Sequence, residues 1–340
     1  MKVLVIKRDK LGDLLLTTPL FALLKASLPQ VETHLLANDY NAWVVTGNPN
    51  LDRVRVYRRV RSAGRVSLGA AWQWLWQGAA LRRERYDWVI VANGDESPRA
   101  IRRGLSLRGA RTVARCADAS KYPGLTDPLP LNTSDHEIER LSGLLSPLKI
   151  SVPGNDKTPY PSYVLPPASS DFAKGWLAER GLSPGGYVVL GLGARRPKKQ
   201  PSTAQVLAWS AHLKRQWGLN TVFMWTPGAS GDPLYPGDDA VAQPVLDARV
   251  GQIHPFRGPI PEALGLIWSA RTSIFPDSGL MHFAAASPGG VLGFFAEADV
   301  SPAPAQWAPR GARADYLEAA KSVSELPDGL VYERLAKLLG

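Results

Sequence analysis

Cysteine is almost missing from this chain: Cys116 is the single one in 340 residues. No intrachain disulfide can form, and one thiolate cannot by itself build a metal site. Long hydrophobic runs are missing as well. Nothing reaches the roughly 18 uncharged apolar residues of a spanning helix, and Arg8, Asp9, Lys10 and Asp13 break the apolar stretch that a secretory leader would need. The expectation is a cytoplasmic protein in a reducing compartment. Low-complexity tracts do not occur, which argues against extended disorder. Acids are the scarcer charged class, 30 against 40 Lys and Arg, so the formal net charge is +10. That excess suggests an anionic partner: nucleic acid, an anionic membrane surface or a phosphorylated substrate.

What is present is ample core material, 45% hydrophobic residues with 11 Trp. A chain of this length exceeds the usual single-core limit, so two α/β domains of roughly 150 residues are expected. Val3–Ile6 read as a strand, Lys7–Gly12 as a polar turn, and the segment carrying Leu20, Leu23 and Leu24 as a helix with Thr18 and Pro19 at its start. Ligands of open parallel sheets bind at the carboxyl ends of the strands, where Asp13 falls just past Gly12. Asp13 is therefore either a site carboxylate or a helix cap. Strands follow at Val31–Ala37 and Asp52–Tyr57, and then Arg53, Arg55, Arg58, Arg59, Arg61 and Arg65 crowd together with no acid after Asp52. That run is either a solvated face or an anion-binding loop of guanidinium forks.

Leu68, Ala71, Trp72, Leu75, Trp76 and Ala79 keep helical spacing, so AWQWLW reads as an amphipathic helix that packs on the core or touches a membrane surface. Trp88–Ala92 is a buried strand ending in Asn93-Gly-Asp-Glu, where the adjacent Asp95 and Glu96 splay apart rather than form an acid–base pair. HEIERLSGLLSPL places Ile138, Leu141, Leu144 and Leu145 on one face and closes the first domain. Prolines at 153, 159, 161, 166 and 167 mark a linker, and the boundary falls near residue 165, giving domains 1–165 and 166–340.

The second half repeats the pattern. Tyr187–Leu190 lead into Gly191-Leu-Gly-Ala-Arg-Arg-Pro-Lys-Lys-Gln-Pro, and Ser202 with Gln205 makes a capping box for a helix bearing Val206, Trp209, Leu213 and Trp217. A glycine-containing, basic turn at a helix mouth is how backbone N–H groups, dipole and lysine hold phosphate. The spacing is neither a Walker A nor a G-x-G-x-x-G motif. After strands at Thr221–Trp225 and Thr272–Phe275 comes Pro276-Asp-Ser-Gly-Leu-Met-His, where Asp277, Ser278 and Gly279 open a helix and His282 lies one turn on as a packing or site histidine. A helix at Gly329–Leu339 is expected to pack back toward the first domain.

The stretches KRDKLGDLLLTTPLFALLKASLP, NPNLDRV, HEIERL, GLGARRPKK and PDSGLMHFAAA, in this order over nearly the whole chain, together resemble family 9 glycosyltransferases, the heptosyltransferases of lipopolysaccharide core assembly. The resemblance implies a GT-B architecture of two facing Rossmann-like domains with parallel sheets, the first holding the acceptor and the second the nucleotide-sugar donor. It implies inverting transfer with no metal and no other cofactor. By position, Asp13 beside Gly12 looks like the general base and Lys199 the group on the donor phosphates, with Lys198 its reserve. Gly193 and Ala194 belong to the same donor turn. Asp277 would bind donor-sugar hydroxyls, Ser278 and Gly279 the phosphates, and His282 accompanies them. Arg58, Arg59 and Arg61 would meet an acidic lipid-linked saccharide, with peripheral contact to the inner membrane surface.

Three departures sit on the donor side. Lys198-Lys199-Gln200-Pro201 replaces the family's Lys-Arg-Trp-Pro. The ribose-binding acid after Trp225 is replaced around Ala229 and Ser230, leaving Asp232 as the substitute. Ala296-Glu-Ala-Asp replaces a threonine turn. Donors other than ADP-heptose therefore stay open, as does a non-catalytic anion or nucleotide-sugar binder. A nucleic-acid partner is not expected, because no recognition-helix or RNA-binding signature accompanies the basic residues and no aromatics interleave with them.

Overall fold

The computed structural model describes residues 1–340 apart from 59–60, 63–64, 67, 153–157, 194–195, 230, 232–236, 298–299 and 301–302, and gives backbone alone for 61–62, 65–66, 68, 70–71 and 73–75. The chain divides into two units, Met1–Val164 and Leu165–Gly340.

The first unit runs β1 (Lys2–Ile6), α1 (Leu11–Leu15), α2 (Thr18–Ser27), β2 (Glu32–Asn38), β3 (Arg53–Tyr57), a short antiparallel pair β4 (Arg61–Ser62) and β5 (Arg65–Val66), α3 (Leu68–Arg83), β6 (Trp88–Val91), α4 (Pro98–Ser106), β7 (Arg111–Arg115), β8 (Asp127–Leu129) and α5 (Glu137–Ser142). Its sheet has the order β3-β2-β1-β6-β7-β8, and every pairing is parallel. Strands such as Val3–Ile6 and Val89–Val91 are uniformly apolar because helices cover both faces of a parallel sheet. The single helix expected after β1 is two, a short α1 followed by α2, whose first residue is Thr18.

The second unit repeats the plan: α6 (Pro167–Ala178), β9 (Tyr187–Gly191), α7 (Thr203–Trp217), β10 (Asn220–Met224), α8 (Asp239–Asp247), β11 (Ile253–Phe256), α9 (Ile260–Ser269), β12 (Thr272–Pro276), α10 (Gly279–Ala286), β13 (Val291–Ala296), α11 (Pro304–Trp307), β14 (Ala314–Ala319) and α12 (Asp328–Leu339). The order β11-β10-β9-β12-β13-β14 is again wholly parallel. In both sheets the strands run 3-2-1-4-5-6 in chain order, the doubly wound arrangement whose ligand crevice opens where the order reverses. That switch point lies at the carboxyl ends of β1 and β6 in one unit and of β9 and β12 in the other.

The capping box forms, with Ser202 accepting from the Gln205 N–H, and Val206, Trp209 and Leu213 of α7 are buried as their spacing requires. The contacts described for α12 are with α7, β13 and β14 of its own unit, where Val331, Leu335 and Leu339 join the core. The core reading of the tryptophan helix fails for two of its residues: Trp72 is 63% and Trp76 59% exposed. Their rings meet edge to face at 5.9 Å, while Leu81 near the end of α3 reaches the core under β1 and β6. Among the described residues no helix is long and apolar enough to cross a membrane.

One close approach tests the packing. A Cβ added at Gly265 of α9 would lie 2.1 Å from the Ser169 carbonyl oxygen of α6, whereas one at Gly175 would meet nothing within 4 Å. Gly265→Ala is expected to lower stability by about 1–3 kcal/mol, and Gly175→Ala to leave it unchanged or raise it by about 0.5–1 kcal/mol. Urea unfolding followed by tryptophan fluorescence measures both.

Candidate functional site

At the switch point of the first unit, the residue that follows β1 is a buried cation. Lys7 is 1% exposed, and its ammonium lies 3.1 Å from Asp9 and 3.7 Å from Glu137. Glu137 opens α5 and also pairs with Arg140 at 3.1 Å, and Arg140 in turn binds Asp95 after β6. Asn93 donates to Asp9 at 2.7 Å. Glycine at 94 leaves this network room: an added Cβ would run into the Glu137 carboxylate and the Arg140 guanidinium, and those side chains would have to shift. Burial works against the Lys7 charge, but Asp9, Glu137 and Asp13 together outweigh it and hold the ammonium above its ordinary value.

Asp13 is the third residue of α1 and is half-buried. The Lys10 N–H donates to its Oδ2 at 3.0 Å, so it caps the helix while lying at the crevice level of β1. Of the two sequence readings of this residue, the helix cap is the one its contacts display. Gly12 is buried beside it. Asp95 and Glu96 do splay, the first to Arg140 and the second to the Ala117 N–H at 2.9 Å and the Tyr122 hydroxyl.

The arginine run divides. Arg53 and Arg55 bind Glu84, just past the end of α3, at 3.2 and 2.7 Å, so the acid missing locally arrives from a distant segment. Arg58 is exposed. Arg59 lies outside the described residues, and of Arg61 the backbone alone, in β4, is described.

In the second unit, a tight turn at Pro197–Lys199 follows β9 and brings Lys199 onto Asp277, an ion pair in which both side chains are about nine-tenths buried. Lys198 instead pairs with Glu297, at the end of β13, whose φ of 51° is left-handed. Ser278 precedes α10 in extended conformation, and its hydroxyl oxygen is buried with no hydrogen-bond partner. Gly279 begins α10, whose first N–H groups have no partner within the helix. His282 is buried one turn later, its ring 6.5 Å from that of Trp307. Gly193 is half-buried, and Ala194 lies outside the described residues.

The sequence reading missed the hydrogen bonds that surround the donor-side departures. Gln200 is buried and donates to Asp238 at 2.6 Å, and Asp238 also accepts from the Thr226 N–H at 3.2 Å. Asp239 accepts from the Trp225 indole at 2.7 Å and the Gly228 N–H at 3.0 Å. Two carboxylates therefore stand beyond β10 where one was sought, and Asp232 lies outside the described residues. Burial pushes the Asp238 carboxyl above its usual value, while the Trp225 hydrogen bond holds Asp239 below. Among the described residues no cluster of three or more His, Cys, Asp or Glu could hold a metal ion.

Compared with solved structures, the chain is similar to a glycosyl transferase of family 9 from Veillonella parvula, with 17% identity, 99% of this chain and 97% of that one covered, and a TM-score of 0.80. It is similar to the E. coli heptosyltransferase WaaC with ADP (16% identity, 99% and 100% covered, TM-score 0.76). The chain has the family 9 glycosyltransferase fold. E. coli ADP-heptose lps heptosyltransferase II agrees at 19% identity, 100% and 98% coverage and a TM-score of 0.73. Neither a family model nor a curated protein matches the sequence. In this fold the two polar constellations fall at the two switch points, one in each unit.

Lys7→Met leaves Asp9 and Glu137 short of a cation. The expected loss is about 3 kcal/mol, at the low end for breaking a buried pair because Arg140 still serves Glu137. The Lys7 charge contributes fully below pH 10.5, the ordinary lysine value, and its contribution is lost as pH climbs through the higher folded value. Denaturation of both proteins across that range should show their difference constant at first and shrinking in strong alkali.

Proposed function

We propose that this chain is an inverting glycosyltransferase that moves a sugar from a nucleotide diphosphate, with ADP-heptose the first donor to test, onto a hydroxyl of an acidic lipid-linked saccharide, without a metal. The observation that carries the reading is the Lys199–Asp277 pair beside the unpartnered Ser278 hydroxyl at the start of α10. Lysine, hydroxyl and helix N–H groups suit diphosphate oxygens, and a carboxylate beside them suits sugar hydroxyls. The named relatives lend the donor: one was solved with ADP, and another carries ADP-heptose in its description.

The chemistry divides between the units. An acceptor hydroxyl attacking the anomeric carbon loses its proton to Asp13, while the bond to the diphosphate breaks and its charge passes to Lys199, Ser278 and the α10 N–H groups. One displacement inverts the anomeric centre. Lys198 with Gly193 and Ala194 supports the donor turn, and His282 holds α10 against Trp307. Gly12 lets the acceptor approach Asp13, and Arg58, Arg59 and Arg61 meet acidic groups of the acceptor. Exposed Trp72 and Trp76 on a basic protein favour contact with an anionic inner-membrane surface from the cytoplasmic side.

Asp13→Asn keeps an oxygen for the Lys10 N–H but cannot take the proton. Turnover with ADP-heptose and a lipopolysaccharide-core acceptor should fall by about 10²–10⁴, with the thermal shift given by ADP-heptose unchanged; near-normal turnover would refute the base assignment. Lys199→Met should weaken that thermal shift, and turnover should survive EDTA.

A further inference from the structure

The first unit holds a second cationic feature that the transfer step does not use. A cavity of about 350 Å³ is lined by Arg8, Tyr57, Arg99, Arg102, Arg103 and Ser106. Four of the six are arginines, and no acid is among them. Their origin is a helix periodicity: positions 99, 102, 103 and 106 of α4 share one face, while Ala100, Ile101 and Gly104 are buried. Arg8 completes the set from the polar turn after β1, its Nε donating to the Tyr57 hydroxyl at 3.0 Å and its guanidinium carbon 5.9 Å from the tyrosine ring centre.

A row of arginines on a surface helix is usually solvated and laced to acids of the same face. Here the arrangement differs, because Arg103 is 7% exposed. Burial, with Arg8 and Arg82 close by, pushes its guanidinium down to about 10 despite the opposing influence of Tyr57. Like charges gathered at a concave, partly dehydrated surface repel, and an anion that enters relieves the repulsion. Ser106 is engaged, its hydroxyl donating to the Arg103 carbonyl at 2.7 Å, so the charged chemistry that the cavity's lining offers is guanidinium chemistry. Planar forks match the oxygens of phosphate two at a time. The volume is well above that of a bare phosphate and sits at the lower end of small-ligand sites, roughly 300–1,000 Å³.

We propose that this cavity recognises a phosphomonoester carried on a saccharide, a binding site separate from Asp13 and from Arg58, Arg59 and Arg61. Its assignment to the acceptor rests on the transferase reading; binding itself does not. Arg8 and Arg103 form the inner wall and Arg99 and Arg102 the exposed rim, so the rim can be removed without disturbing the core.

The test is calorimetric titration of the full chain, with no donor present, using glucose 6-phosphate, glucose, glucuronate and inorganic phosphate as probes. Glucose 6-phosphate should bind more tightly than the other three, and the Arg99→Ala/Arg102→Ala double variant should lose its affinity by about tenfold or more, one charge-assisted contact being worth that much. The thermal shift from ADP-heptose should be unchanged in that variant. Undiminished binding by the double variant, or inorganic phosphate or glucuronate bound as tightly as the sugar phosphate, would overturn the proposal. The two readings fail separately. A chain that binds sugar phosphate through Arg99 and Arg102 yet transfers nothing defeats the transferase, whereas a transferase whose sugar-phosphate affinity ignores those arginines defeats this site.

Discussion

Parallel pairing is the constraint on which the rest of this structure depends. Each crossover returns the chain to the same end of the sheet, so the carboxyl ends of neighbouring strands share one edge and the segments that leave them converge. In the first unit that edge gathers the turn from Lys7 to Asp13, the Asn93–Asp95 turn and the start of α5. In the second it gathers the Pro197–Lys199 turn, Asp277 with Ser278, and Glu297. Residues about 80 to 130 positions apart, such as Lys199 with Asp277 and Lys7 with Glu137, meet because the strands bring them there.

The excess of basic residues is not spread evenly over a solvated surface. Part of it is paired within the first unit: Lys7 and Arg140 hold the buried Glu137, and Arg53 and Arg55 share Glu84 with Lys2. Another part is gathered into concave positions, with the α4 arginines around one cavity and Lys198 and Lys199 at the second switch point. Each of those lysines already faces a carboxylate of its own. The net charge is thus a poor guide to where an anion would be met, and the partners supplied by folding decide it.

Much of the architecture was legible before any coordinates. β1 from Val3 onward and β9 up to Leu190 are apolar runs bounded by turn residues, and the Ser202–Gln205 box announces α7 by itself. Less could be read of the edge strands. β8 contains Pro128 and β11 contains Pro255, residues that an outer strand tolerates but that hide it from any periodicity. The site was legible as segments and not as contacts. Lys199 and Asp277 could be named singly, yet the buried standing of Lys7, Glu137 and Arg140 depends on partners distant in sequence. Likewise nothing local distinguishes Trp72 and Trp76 from core residues, since spacing says which side chains share a face and not whether anything covers it.

The salt link between Lys199 and Asp277 has a consequence for selectivity. On the proposed donor role, an inorganic diphosphate that took the ammonium would set fresh negative charge beside the Asp277 carboxylate. A molecule that pairs phosphates with hydroxyls answers both halves of the link, replacing the lost cation with donors for the oxygens it abandoned. Under that proposal, self-neutralisation of this kind would turn an otherwise greedy cationic centre into a logical conjunction, its occupancy requiring two chemistries to arrive joined in one ligand.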